Sequence, residues 1–290
     1  MAFKVSKKRN TRAPLARKRP SSYSSESSGG ERESTGSSKR SPSRKRADIL
    51  TIILIVVALI VFSVSLFNLV VILLDYRVAG NEYKTIDTGF TSVDENSGMR
   101  RVNYRELTQT NGDFVAWIDI PGTNISYPVV YSPISNDVYL RTTFLGQSAT
   151  AGSIFIDSRC TDYFSSRVTI IYGHRMNDNT MFAQLKNFLT KDFWEEHREI
   201  HIYMESGIEI YKVFSSYTAT TEDDCYTFHF ESDQAFIDWG KIVSGRSNYN
   251  TGISLKPDSR VIILSTCVYG QEDNRNVVLA VYDHTLPNPA

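Results

Sequence analysis

Residues 200–213 read IHIYMESGIEIYKV, and their pattern decides the fold class. Ile200 and Ile202 alternate with His201 and Tyr203, Ile208 and Ile210 alternate with Glu209 and Tyr211, and Gly207 stands at the break between the two runs. A period of two interrupted by a glycine-bearing turn predicts a β-hairpin in a half-buried antiparallel sheet. Outward from it the same kind of run recurs with turn punctuation. FVAWIDI (114–120) precedes Pro121 and Gly122, and ISYPVVY (125–131), GSIFID (152–157) and RVTIIYG (167–173) follow it. IEIYKVFSSYTA (208–219), SRVIILST (259–266) and NVVLAVYD (276–283) complete the series. Two helices interrupt the strands. One begins near Thr180, where MFAQLKNFL sets Phe182, Leu185 and Leu189 on one face, and the other begins at Ser232 in SDQAFIDWGKIV. The expected architecture is mostly β, a closed or nearly closed barrel with helical insertions.

The chain before this domain is of another kind. Residues 1–46 hold 14 Lys and Arg against 3 Asp and Glu, whereas residues 75–290 hold 18 against 28, so net charges of +11 and −10 flank the segment between them. That segment, Ile49 to Leu74, is 26 residues without a charge, long enough to span a hydrocarbon core of roughly 30 Å. A secretory signal peptide is the rival reading, but its apolar region runs only about 7 to 15 residues. Arg44, Lys45 and Arg46 directly before the span put the N-terminus on the cytoplasmic side and residues 75–290 outside. The Ser-, Lys- and Arg-rich tail lacks the apolar residues that would offset chain entropy and is expected to be disordered. Its place beside a span favours contact with anionic lipid over nucleic acid, which is not expected as a partner. The organisation read this way is a basic tail (1–48), a single transmembrane helix (49–74), a helical N-terminal extension (75–113) and the β-rich domain (114–290). YRVAGNEYKTI and MRRVNYRELTQT are the helix candidates within the extension.

Three cysteines, Cys160, Cys225 and Cys267, fall in the outer domain, so an odd thiol is left over. Cys160 and Cys225 are open to being buried, free or paired with each other. Cys267 ends the run VIILSTC, where a strand delivers it to a sheet edge. His174 follows TIIYG and opens the loop RMNDNT, and Gly173 before it permits a tight bend or the close approach of another segment. Arg275 starts the final strand, eight residues past the cysteine. A thiol gains reactivity from a nearby base or cation, and an attacked carbonyl develops charge that needs a donor. Imidazole and guanidinium meet those two needs. Taken singly, however, each residue has a plain structural account, and spacing alone does not bring them together.

IYGHRMNDNTMFAQL, VIILSTCVYG and NRNVVLAVYD resemble the three catalytic segments of sortases, and WIDIPGTNISYPVVY, SNDVYLRTTFLG and GSIFID resemble the strands and loop before them, in order over about residues 115–282. The Tyr-Gly-His run, the Asn- and Asp-rich loop after it and the helix between Ser232 and Arg246 are most similar to class B members. The resemblance implies an eight-stranded sortase barrel preceded by N-terminal helices and one transmembrane helix. It implies a cysteine transpeptidase in which Cys267 attacks the carbonyl after the Thr of a C-terminal sorting signal, His174 is the general acid/base and Arg275 stabilises the transition state. An amine, from a peptidoglycan precursor or a pilin lysine, then resolves the thioester. Asn136, Leu140, Tyr172 and Ser265 align with positions lining the sorting-signal groove. No cofactor is implied. The chain departs from the common Thr-Leu-x-Thr-Cys pattern in carrying Ile263 at the first position, and its tail is longer than usual.

Two other clusters invite a metal reading. His197 and His201 are four apart, but HIYM reads as a strand and no third ligand is apparent, so no metal site is expected. Glu222, Asp223 and Asp224 beside Cys225 read as solvated loop charge. A hydrolase using the same three residues, or a non-catalytic binding domain, stands as the alternative to a transpeptidase.

Overall fold

The computed structural model describes residues 42–268 and 270–289. The expected disorder of the basic tail up to residue 41 lies outside the described residues. Helix α1 runs from Pro42 to Phe90 without a break, so the apolar segment and the first helix candidate of the extension are one element. Asp48–Phe90 is the one helical stretch among the described residues long and apolar enough to cross a membrane. The chain divides into two units, Met1–Leu59 and Ile60–Ala290. Within the second, α1 changes character: Leu66, Leu69 and Leu73 are exposed, whereas Ala79, Tyr83 and Ile86 are buried in the main core and Tyr76 packs on its edge. The steps of three and four residues put this stripe on one helix face. Polar anchors fix it: Glu82, also buried, accepts from Thr143 Oγ1 (2.8 Å) and the Leu145 amide (2.9 Å), and the Tyr83 hydroxyl donates to the Gly152 carbonyl (2.6 Å).

After α1, the strands β1 (Thr91–Val93) and β2 (Arg100–Val102) form a small hairpin and α2 covers Tyr104–Thr110, so the second helix candidate divides into a strand and a helix. The barrel follows: β3 (Phe114–Asp119), β4 (Ser126–Tyr131), the short α3 (Asp137–Leu140), β5 (Ile154–Ile156), β6 (Val168–Tyr172), α4 (Lys191–Glu196), β7 (Glu199–Met204), β8 (Gly207–Thr220), α5 (Asp233–Gly245), β9 (Val261–Val268) and β10 (Gln271–Leu286). The eight strands close in the order β10-β8-β7-β3-β4-β5-β6-β9. The sheet is mixed, because β4 with β5 and β6 with β9 pair in parallel and the other barrel pairs are antiparallel.

The hairpin read from residues 200–213 is present as β7 and β8, turning at Glu205 and Ser206. Gly207 opens β8 at φ +141°, and a Cβ there would meet the Leu286 carbonyl at 2.9 Å. The half-buried expectation is corrected, since His201 and Glu209 on the alternate face are covered as well. Glu209 is kept there by the Tyr211 hydroxyl at 2.6 Å and Arg260 at 2.8 Å, which together offset its desolvation. Strands β9 and β10 show the same double burial. Ile262, Leu264, Val278 and Ala280 join the main core, while Val261, Ile263, Val277 and Leu279 join a second core with Phe236, Trp239 and Val243 of α5. Covering both faces turns a strand into a continuous apolar run. Helix α5 starts where expected, with Ser232 Oγ accepting from the Ala235 amide (3.1 Å). The segment after Thr180 is instead a 3-10 helix over Ala183–Leu189, leading into α4.

Candidate active site

Strand β9 is buried from Val261 to Thr266 and emerges at Cys267, the only exposed cysteine of the three. Arg275 of β10 pairs directly with Cys267 in the antiparallel register, so both side chains rise from the same face of the ladder. The irregularity in pairing between Gln271 and Arg275 ends at this pair. Arg275 therefore sits inside β10, not at its start as the sequence implied. Strand β6 lies on the other side of β9, with Tyr172 paired to Ser265, and the Gly173 amide donates to the Ser265 carbonyl (3.2 Å). His174 thus leaves β6 one step beyond a main-chain bond to the cysteine strand. Gly173 is dictated by close approach: a Cβ would lie 2.4 Å from Ile154 Cδ1 and 2.8 Å from the Phe182 ring. Three adjacent strands deliver the three groups that the sequence left unconnected.

The three residues line one cleft of about 190 Å³. Asn136, Leu140, Tyr172 and Ser265, the positions implied by resemblance, all line it too, as do Phe155, Gly173 and Thr266, which sequence reasoning missed. Phe155 is the middle of three wholly buried strand residues, and nothing in its local sequence separates a cleft wall from core. The polar walls are tied down from behind. Asn136 Oδ1 accepts from the Ser158 amide (2.8 Å), the Tyr172 hydroxyl donates to Asp157 (3.0 Å), and Ser265 Oγ shares a hydrogen bond with the Tyr226 hydroxyl (2.9 Å).

His174 Nε2–H donates to the Leu140 carbonyl (2.6 Å), which fixes the proton on that nitrogen in the neutral ring and leaves Nδ1 as the basic one. Burial holds its pKa below the ordinary histidine value; the Leu140 carbonyl opposes this, and the cations Arg141 and Arg275 add to it. Arg275 Nη1 donates to the Asn274 carbonyl (3.0 Å), which orients the guanidinium from its own strand. The cleft thus combines an accessible thiol, a predominantly neutral imidazole and a fixed cation, the set that nucleophilic acyl transfer uses.

The remaining candidates lie elsewhere. Cys160 and Cys225 are buried and free. Burial pushes the Cys160 thiol up to about 11, and burial followed by the neighbouring Asp223 carboxylate pushes Cys225 up as well. His197 caps α4 and its Nδ1–H donates to the Pro121 carbonyl (2.9 Å), while His201 Nε2 lies 3.4 Å from Glu199, so the two rings serve different neighbours. The acidic cluster is not simply solvated charge. Arg246 binds both Asp223 (2.6 Å) and Asp224, and Asp223 also accepts from the Cys225 amide.

Residues 118–283 match the sortase domain family. The chain is 38% identical over 185 residues to sortase B of Listeria monocytogenes, a match covering 63% of this chain and 73% of the relative. A solved Staphylococcus aureus sortase B-substrate complex superposes with a TM-score of 0.59 at 33% identity, covering 62% of this chain and 84% of that one. A sortase B complexed with triglycine superposes with the same TM-score and identity over 62% and 85%.

Proposed function

The chain belongs to the sortase family as a sortase B-like cysteine transpeptidase, and from that premise we propose that it is anchored by α1 and joins exported proteins to a cell-wall amine. The observation that carries the proposal is the direct pairing of Cys267 with Arg275 beside His174 in a single cleft.

In this reading the sorting signal lies along the cleft, with Asn136, Leu140, Tyr172 and Ser265 as its contacts. The Cys267 sulfur attacks the carbonyl carbon of the Thr residue, giving up its proton to His174. The carbonyl oxygen gains the charge and faces the guanidinium of Arg275, which presents a planar fork of donors at any working pH. Collapse breaks the peptide C–N bond, and His174 returns the proton to the leaving amine. The thioester that remains is attacked by an acceptor amine, whose proton passes to His174 while the sulfur departs and a new amide forms. A cleft open to solvent at Cys267 suits two successive substrates. The related structures with a substrate and with triglycine support a peptide donor and an amine acceptor. The bias of basic residues toward the N-terminal side of the span supports a catalytic domain outside the cell.

The test is product analysis. A labelled Thr-containing sorting peptide is incubated with the full chain, with and without an amine acceptor. Transpeptidation predicts an acceptor-dependent amide adduct, and release of free acid unaffected by acceptor assigns a hydrolase instead.

A further inference from the structure

Two of the three polar walls of the cleft, Asn136 and Tyr172, are held by one short segment that follows β5. The carboxylate of Asp157 is sealed, with 0% side-chain exposure. Its Oδ2 accepts from the Tyr172 hydroxyl (3.0 Å) and from Arg159 Nη2 (2.8 Å), and its Oδ1 accepts from Arg159 Nε (2.9 Å) and the Arg159 amide (3.0 Å). The next residue, Ser158, donates its amide to Asn136 Oδ1 (2.8 Å). Tyr172 and Asn136 come from separate elements, yet their anchors are consecutive residues.

A buried carboxylate persists only where charge pairing and hydrogen bonds replace its water. Here Arg159 supplies the pairing from the surface, its own side chain 60% exposed and its guanidinium 4.3 Å over the Phe228 ring. With the carboxylate kept charged, the hydroxyl of Tyr172 donates to an ionised acceptor, a stronger class of bond than one to a neutral partner. The Tyr172 ring in turn packs against Phe155, another cleft residue, with centroids 5.5 Å apart.

We propose that Asp157 is a positioning residue for the peptide substrate, fixing the Tyr172 wall of the cleft through its hydroxyl while Ser158 fixes the Asn136 wall. Asp157 touches no reacting atom, so its effect falls on peptide binding and not on the thiol. The inference rests on the peptide-cleaving reading of the cleft.

The experiment uses the full chain in detergent and a panel of Thr-containing hexapeptides. Asp157→Asn and Tyr172→Phe are each expected to raise KM roughly tenfold with little change in kcat, the scale of one charge-assisted hydrogen bond. The double variant should be no worse than the poorer single one, because both remove the same bond. Alkylation of Cys267 by iodoacetamide should stay within about twofold of the unsubstituted protein, since Asp157 lies behind the Tyr172 wall and is not among the residues lining the cleft. Multiplying effects, or a fall in alkylation matching the loss of turnover, overturns the inference. If Asp157→Asn does not fold, Arg159→Gln strips the pairing from an exposed position; a raised KM upholds the inference and an unchanged KM overturns it. If the unsubstituted protein cleaves nothing, the transpeptidase reading falls, and equilibrium binding of the same panel decides alone. Weaker binding by Cys267→Ala/Asp157→Asn than by Cys267→Ala upholds the positioning role, and equal or absent binding overturns it.

Discussion

Cys225 and Cys267 are the same side chain in opposite settings. Cys225 lies in a 3-10 turn, wholly buried in the second core beside Asp223, and an anionic neighbour together with exclusion of water holds it as a thiol. Cys267 leaves the same barrel at the open end of β9, opposite a guanidinium and within one cleft of an imidazole. The two sulfurs differ first in access. One thiol is packing material and the other is open to an incoming reagent.

The largest expected effect breaks that contrast at its reactive side: Cys267→Ala should abolish thioester formation with sorting peptide, read by intact-protein mass spectrometry, while Cys225→Ala and Cys160→Ala retain it. A peptide adduct on Cys225 would invert the comparison. Next in size, Arg275→Ala should cut turnover by about 100-fold to 1000-fold, the usual consequence of losing one oxyanion donor. Arg275→Lys should recover only part, because an ammonium carries the charge without the fork. Both should melt at the temperature of the unsubstituted protein; a loss of activity matched by unfolding would remove the catalytic interpretation.

At the sealed side the effects are on stability. Cys225→Ala should cost about 1 kcal/mol, the scale of one buried heavy atom, and lower Tm by about 2 to 4 °C with turnover intact. Ellman's reagent should modify Cys267 in the folded protein and reach Cys225 only as denaturant unfolds it. The smallest expected signal sharpens the electrostatics. His174 should titrate below 6.5 by NMR of its ring, and Arg275→Ala should move that midpoint upward, because removing a like charge favours the imidazolium. With its folded value lowered, His174 is neutral in the native state where the unfolded chain already binds a proton. Its contribution to stability is present above the ordinary histidine value and is lost as pH falls through that value toward the lowered one. His174→Gln should flatten this part of a melting-temperature profile.

The strands were legible because each carries its own signal in consecutive residues, and the Ser232 cap was legible because a capping side chain acts within three positions. What periodicity could not reveal was closure. Nothing local in TIIYGH or VIILSTC says that Tyr172 and Ser265 are partners, and the pairing that joins them spans 93 residues of sequence. Resemblance to a family supplied the association that spacing lacked. The second core was invisible for a similar reason, since the face of β9 occupied by Ile263 reads as exposed or covered only once the position of α5 is known. Asp157 ends the strand run GSIFID and Arg159 follows two residues later, with no local sign that the two pair. Only the fold reveals that one is sealed while the other reaches it from the surface.

The order in which these strands appear along the chain has a kinetic consequence. The cleft needs β6, β9 and β10 side by side, and β10 closes the barrel by pairing with both β8 and β9. The pairings of β6 with β9 and of β8 with β10 are distant in sequence and form late, because each must first overcome the entropy of a long loop, whereas β9 and β10 are neighbours in the chain. A chain still being made therefore has His174 long before it has Cys267, and Cys267 before Arg275. Until the last strand docks the cleft lacks the wall that carries Arg275 and is incomplete.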